Sequence, residues 1–147
     1  MPAAIPADLY RQIIDQAPDA VLYADREGLI RLWNRGAELI FGYTPAEALG
    51  QSLDLIIPER LRGRHWEGYH RVMATGQSRY GTDLLSVPAQ HKDGRQLSCA
   101  FSIVLVKDDA GQPLGVASIL RDGTAAWQKE KDLKAQLAAL QSRPTPG

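Results

Sequence analysis

The chain has 147 residues, 44% apolar and 23% charged, and its 17 basic and 17 acidic side chains cancel. That length suits one compact domain with short extensions, and the composition is that of a globular chain, not a disordered one. No basic run is interleaved with aromatics, so the footprint that a phosphate backbone needs is missing and nucleic acid is not expected as a partner.

No apolar stretch reaches the ~18 residues of a membrane span, and Met1 to Pro6 lacks the charged and apolar segments of a signal peptide. A cytoplasmic protein without membrane contact is expected. A single cysteine, Cys99, leaves no intramolecular disulfide and no zinc site built on paired cysteines.

In chain order, Asp8 to Gln16 place Leu9, Ile13 and Ile14 on one helical face, with Pro18 as the limit beyond them. This short helix is expected outside the domain proper. Ala20 to Ala24 and Leu29 to Trp33 read as two strands joined by Asp25-Arg26-Glu27-Gly28, a tight hairpin. Asn34 is placed to cap a helix running through Phe41. Thr44-Pro45-Ala46-Glu47 reads as an N-cap, a first-turn proline and an N3 glutamate, and Gly50 ends that turn. A longer helix is predicted from Pro58 to about Ala74, closed by Thr75-Gly76. Its stripe of Leu61, His65, Tyr69 and Val72, flanked by Trp66 and Met73, points His65 inward.

Two runs, 80–90 and 96–106, flank Lys92-Asp93-Gly94, an Asp-Gly hairpin. In the second, Leu97, Cys99, Phe101, Ile103 and Leu105 alternate with polar or small residues and define one buried face. Pro88 cannot donate to a ladder, which confines the first run to a sheet edge or a bulge. A fifth strand is predicted over Leu114 to Arg121. A final helix over Ala125 to Leu140 follows from its Ala, Leu, Lys, Gln and Glu content. Leu133, Leu137 and Leu140 form a narrow seam on it, extended backward to Ala126 and interrupted by Glu130. Gln141 to Gly147 reads as a frayed end or the start of a linker.

Catalytic chemistry finds little support. Asp108-Asp109, Glu59, Glu67 and Asp83 read as solvated charges, and His70 and His91 have no partner at catalytic or metal spacing. No phosphate-cradling glycine loop occurs. The chain is therefore not expected to be an enzyme.

The order helix, two strands, several helices, three strands, helix carries a set of local strings with it. These are Ala17-Pro18-Asp19-Ala20, Trp33-Asn34-Arg35-Gly36-Ala37, Phe41-Gly42-Tyr43-Thr44-Pro45-Ala46-Glu47, Gly50, Lys92-Asp93-Gly94 and Arg121-Asp122-Gly123-Thr124. In that order they resemble the PAS domain family over about Asp8 to Gln128. The resemblance implies an α+β fold: a five-stranded antiparallel sheet in the order 2-1-5-4-3, with short helices on one face enclosing a pocket. It divides the chain into an N-terminal flanking helix (1–17), the PAS domain (18–123), a C-terminal signalling helix (124–141) and a tail (142–147). It further implies a ligand-binding sensor that signals through its flanking helices, in a homodimer, to a separate or C-terminally fused output protein.

Arg64-His65-x-x-x-Tyr69 on the long helix is similar to the segment carrying the proximal histidine of PAS oxygen sensors that hold heme b. The resemblance therefore implies His65 as an axial iron ligand, with Tyr69 beside it. Phe101 and Ile103 form an apolar wall, and Arg71 and Arg79 stand at positions that contact the heme propionates. Leu85 stands where oxygen-binding members carry a ligand-stabilising arginine. The plain alternative is a histidine that packs or hydrogen-bonds within a cofactor-free dimerisation or protein-interaction module. A flavin near Trp66 is a weaker reading, because the reactive-cysteine motif of flavin-bearing light sensors is absent and Cys99 lies on a strand.

Overall fold

The computed structural model describes residues 6–78 and 85–142. Helix α1 (Leu9–Gln16) ends at Ala17, whose ψ of 134° is the extended conformation imposed by Pro18. Strands β1 (Ala20–Asp25) and β2 (Ile30–Trp33) follow. Asp25 Oδ1 accepts from the backbone N–H groups of Glu27 and Leu29, and Gly28 turns the chain at φ 80°.

The cap predictions hold. Asn34 accepts from the Ala37 N–H to start α2 (Arg35–Phe41). Thr44 and Glu47 form a full capping box on α3 (Pro45–Ala48). A 3-10 helix over Leu53–Ile56, which the sequence reading did not foresee, connects to α4 (Glu59–Thr75). Gly76 closes α4 at φ 69°. Strands β3 (Leu85–Gln90), β4 (Gln96–Lys107) and β5 (Pro113–Asp122) lead to α5 (Thr124–Gln141). The predicted strand start at 80–84 and the predicted tail beyond Ser142 lie outside the described residues.

All neighbouring strands pair antiparallel in the order β2-β1-β5-β4-β3, the expected order. Pro88 sits on the edge strand β3. The His91 N–H donates to the Arg95 carbonyl, so by alternation Ala89, Val87 and Leu85 exchange bonds with β4. The nitrogen of Pro88 then faces off the sheet, where no ladder bond is lost.

The inner face of the sheet follows from register. Leu22 lies opposite Ser118, which lies opposite Ile103; Ala20, Leu120, Phe101 and Leu85 form the next row. These rows join Trp33, Phe41, Tyr69 and Met73 in one apolar cluster, with Phe101 and Ile103 packed partly buried against it. The core therefore lies between the sheet and the helices α2 to α4. Two glycines permit the close packing that closes it. A Cβ on Gly36 would lie 2.0 Å from the Asp19 carbonyl oxygen, and one on Gly115 would lie 2.1 Å from that of Ala24.

Candidate functional site: the inner face of α4

Helix α4 is held to the β1–β2 hairpin by side chains one turn apart. Trp66 lays its six-membered ring over Gly28, where a Cβ would come within 2.1 Å of it, and its indole N–H donates to Asp54 Oδ1 at 2.7 Å. The Tyr69 hydroxyl reaches the carbonyls of Ala24 and Asp25 at the end of β1. Burial, and then the nearby Asp25 charge, push the Tyr69 phenol well above its ordinary value, so it serves as a neutral donor. The stripe is thus turned slightly from the predicted one: Tyr69 and Met73 are buried, whereas Leu61, His65 and Val72 are half-buried.

His65 fills the space beside these two rings. Its ring centroid lies 4.7 Å from that of Trp66, edge to face, and 5.7 Å from that of Tyr69. Its Nδ1 is buried and has no hydrogen-bond partner, the one such side-chain atom among the described residues. Burial lowers the imidazole pKa below its usual value, with Asp54 opposing, so the ring is neutral at pH 7. A neutral imidazole with a buried nitrogen unpaired has capacity left for a metal or a hydrogen-bonding ligand.

The other expected residues divide. Phe101 and Leu85 oppose each other across β4 and β3 on the inner face, and Ile103 follows two residues along the same face. Arg71 points outward, 56% exposed, with its guanidinium 3.9 Å from Glu67. Arg79 lies outside the described residues. Cys99 is buried on the inner face, and desolvation followed by the nearby Asp122 charge pushes its thiol up to about 11, which suits a core filler. Among the described residues no group of three His, Cys, Asp or Glu side chains gathers to hold a metal. An ion at His65 therefore needs most of its ligands brought with it, as a porphyrin brings them. A cavity of about 560 Å³ does open elsewhere, between the start of α4 and the β3–β4 hairpin, lined by Pro58, Arg60, Ala89, Gln90 and Gln96 among others. Its lining does not include His65.

Two functional contacts were not foreseen. Asp54 orients Trp66 from 12 positions away in the chain and biases the neighbouring His65, a separation that no local motif records. Asn34, foreseen as a cap, is also a junction. Its Nδ2 donates to the carbonyls of Ile14, Ala17 and Asp19, while its Oδ1 accepts from Val21 as well as Ala37. It thereby ties the end of α1 to the start of β1.

The pattern of the PAS fold matches residues 14–127. The chain belongs to the PAS family. This PAS chain is 30% identical over 132 residues to the sensor protein FixL of Bradyrhizobium diazoefficiens, covering 90% of this chain and 25% of that protein. It is 23% identical over 117 residues to the oxygen sensor protein DosP of Escherichia coli, covering 80% and 14% respectively. Among solved structures, a PAS domain from Colwellia psychrerythraea superposes with a TM-score of 0.69 at 23% identity, over 79% of this chain and 95% of that one. The chain spans a quarter or less of the length of the curated relatives it matches. It is a PAS sensory module, and no helix among the described residues is long and apolar enough to cross a membrane.

Proposed function

We propose that this PAS module binds a small ligand or cofactor between α4 and the inner face of the sheet, and that the cofactor is heme b with His65 as axial ligand. The buried, unpartnered Nδ1 of His65 carries this reading. The residues present fit such a group: His65 offers a neutral imidazole, and Phe101, Ile103 and Leu85 offer an apolar wall. Heme, when bound, supplies an iron that takes up a small gaseous ligand or changes its redox state. The chain's own residues orient the ring of His65 through Trp66 and Tyr69 and exclude water from it. By the family resemblance Arg71 and Arg79 would be the cations for the propionates, and Arg71 would have to leave Glu67, toward which it is turned in this structure, to serve as one. Leu85 offers no hydrogen bond to a bound diatomic, so the module is assigned to gas or redox sensing without a commitment to oxygen. It catalyses no reaction itself. In this reading residues 18–123 sense, and the flanking segments 1–17 and 124–141 pass the signal on within a cytoplasmic homodimer to a separate or fused output protein.

Absorption spectroscopy on protein produced with ample heme tests the assignment. A Soret band in the wild type that is lost or strongly shifted in His65→Ala is expected. A wild type with no Soret band, or a band untouched by His65→Ala, overturns it.

The second reading is a cofactor-free dimerisation or protein-interaction module. The apolar seam of α5, exposed along its length, favours it. A chain that is monomeric both with and without residues 124–147 removes that reading.

A further inference from the structure

The cavity between the start of α4 and the β3–β4 hairpin has no part in the site at His65. It measures about 560 Å³, and Pro58, Glu59 and Arg60 line one side of it while Ala89, Gln90 and Gln96 line the other. That volume is ordinary for a small-molecule site. Both walls are fixed by contacts outside the cavity. On the helix side, Arg62 donates to the carbonyls of Ile57 at 3.0 Å and Asp54 at 3.1 Å. On the hairpin side, Lys92 Nζ donates to Glu47 Oε2 at 2.6 Å, and the His91 ring lies so close to Gly42 that a Cβ there would come within 2.7 Å of it. Arg60 Nη2 donates to Gln96 Oε1 at 3.1 Å and bridges the two walls. The cleft is thus formed before anything enters it, which lowers the ordering cost of an occupant.

The polar groups around it are only partly used. Among the described residues the Glu59 carboxylate and the Gln90 amide have no hydrogen-bond or ion-pair partner. Arg60 spends one guanidinium nitrogen on Gln96 and keeps further N–H groups, and the Gln96 amide keeps its own N–H donors. The cleft therefore presents an unpaired anion, a positioned cation and two carboxamides that can donate and accept. A simple anion drawn to Arg60 meets Glu59, and a simple cation drawn to Glu59 meets Arg60. A small solute carrying both charges satisfies both walls, and either charge alone is penalised.

We propose that this cleft is a second ligand site, for a free α-amino acid, with the carboxylate on Arg60, the ammonium on Glu59 and the side chain toward Gln90 and Gln96. Glu59 and Arg60 are exposed, so solvent screens each ion pair and the affinity lies in the millimolar range. The site is separate from the one at His65 and does not depend on it.

Amide NMR of the full chain without heme, titrated with the common L-α-amino acids one at a time, is the test. At least one should give saturable shifts centred on residues 59–61 and 89–96. Its N-acetyl and carboxamide derivatives, each lacking one charge, should bind about tenfold more weakly or worse. Arg60→Ala and Glu59→Gln should each weaken binding by a similar factor with the rest of the amide spectrum in place. No saturable shift with any amino acid overturns the proposal. An N-acetyl derivative that binds equally well makes the cleft a carboxylate site, and a carboxamide that does so makes it an amine site; either overturns the assignment. Saturable shifts centred on 65–73 and 97–103 also overturn it, because they put the ligand against the inner face of the sheet. Because the protein is heme-free, failure here leaves the reading of His65 untouched, and a missing Soret band leaves this cleft untouched.

Discussion

Helices α4 and α5 have nearly the same length, 17 and 18 residues, and stay folded by opposite means. Helix α4 contains Gly63 and Gly68, two histidines and a tryptophan, a composition with little intrinsic preference for helix. Tyr69 and Met73 are buried, and Trp66 and Tyr69 are hydrogen-bonded to other elements. Helix α5 is built from Ala, Leu, Lys, Gln and Glu, strong helix formers, and buries nothing within the chain. One helix exists because of the domain; the other exists beside it. In the proposed reading the same division separates sensing from output, since the candidate ligand site lies on the helix whose position depends on the core.

The comparison can be broken most sharply at Trp66. Trp66→Ala removes the ring over Gly28 and the bond to Asp54, and should cost about 3 kcal/mol of domain stability in urea unfolding. A loss below ~1 kcal/mol would mean that α4 is held by something else. A gentler test reverses the sign. No heavy atom within 4 Å awaits a Cβ on Gly68, so Gly68→Ala should add about 0.5–1 kcal/mol to the domain through helix propensity. Ala135→Gly should loosen α5 by a similar amount in hydrogen exchange and leave the midpoint of domain unfolding unchanged. A domain that follows Ala135→Gly would join α5 to the core.

The smallest effect is linked to pH. His65 has its pKa lowered by burial from an ordinary 6.5, so below that value the unfolded chain takes up a proton that the folded chain resists. Its contribution is present above about pH 6.5 and is lost as the pH falls toward the lowered folded value. Unfolding midpoints measured from pH 7.5 to 5 should therefore fall in the wild type and fall less in His65→Gln. Parallel curves would place His65 in solvent.

Much of the fold was legible because its punctuation is local. The Thr44–Glu47 box, the Asn34 cap, Gly76 and the Asp93-Gly94 turn each act over a few residues, so residue type and spacing suffice to name them. The long helix, its inward histidine and the alternating wall of Phe101 and Ile103 were legible from periodicity for the same reason. The contacts that shape the candidate site were not. Asp54 reaches Trp66, the Tyr69 hydroxyl finds carbonyls on β1, and Arg71 turns to Glu67. The tilt of α4, which no repeat in its own residues encodes, decides the first two.

The sequence by itself determined the strands and α-helices, their order, the confinement of Pro88 to an edge or a bulge, and the family, because those rest on backbone preferences and short-range hydrogen bonds. Only the tertiary structure decided that His65 keeps a buried nitrogen unspent and that Asn34 joins α1 to the sheet. It also decided that the seam of α5 faces water. Each of those is a statement about what lies across from a residue, and that depends on the packing of segments far apart in the chain.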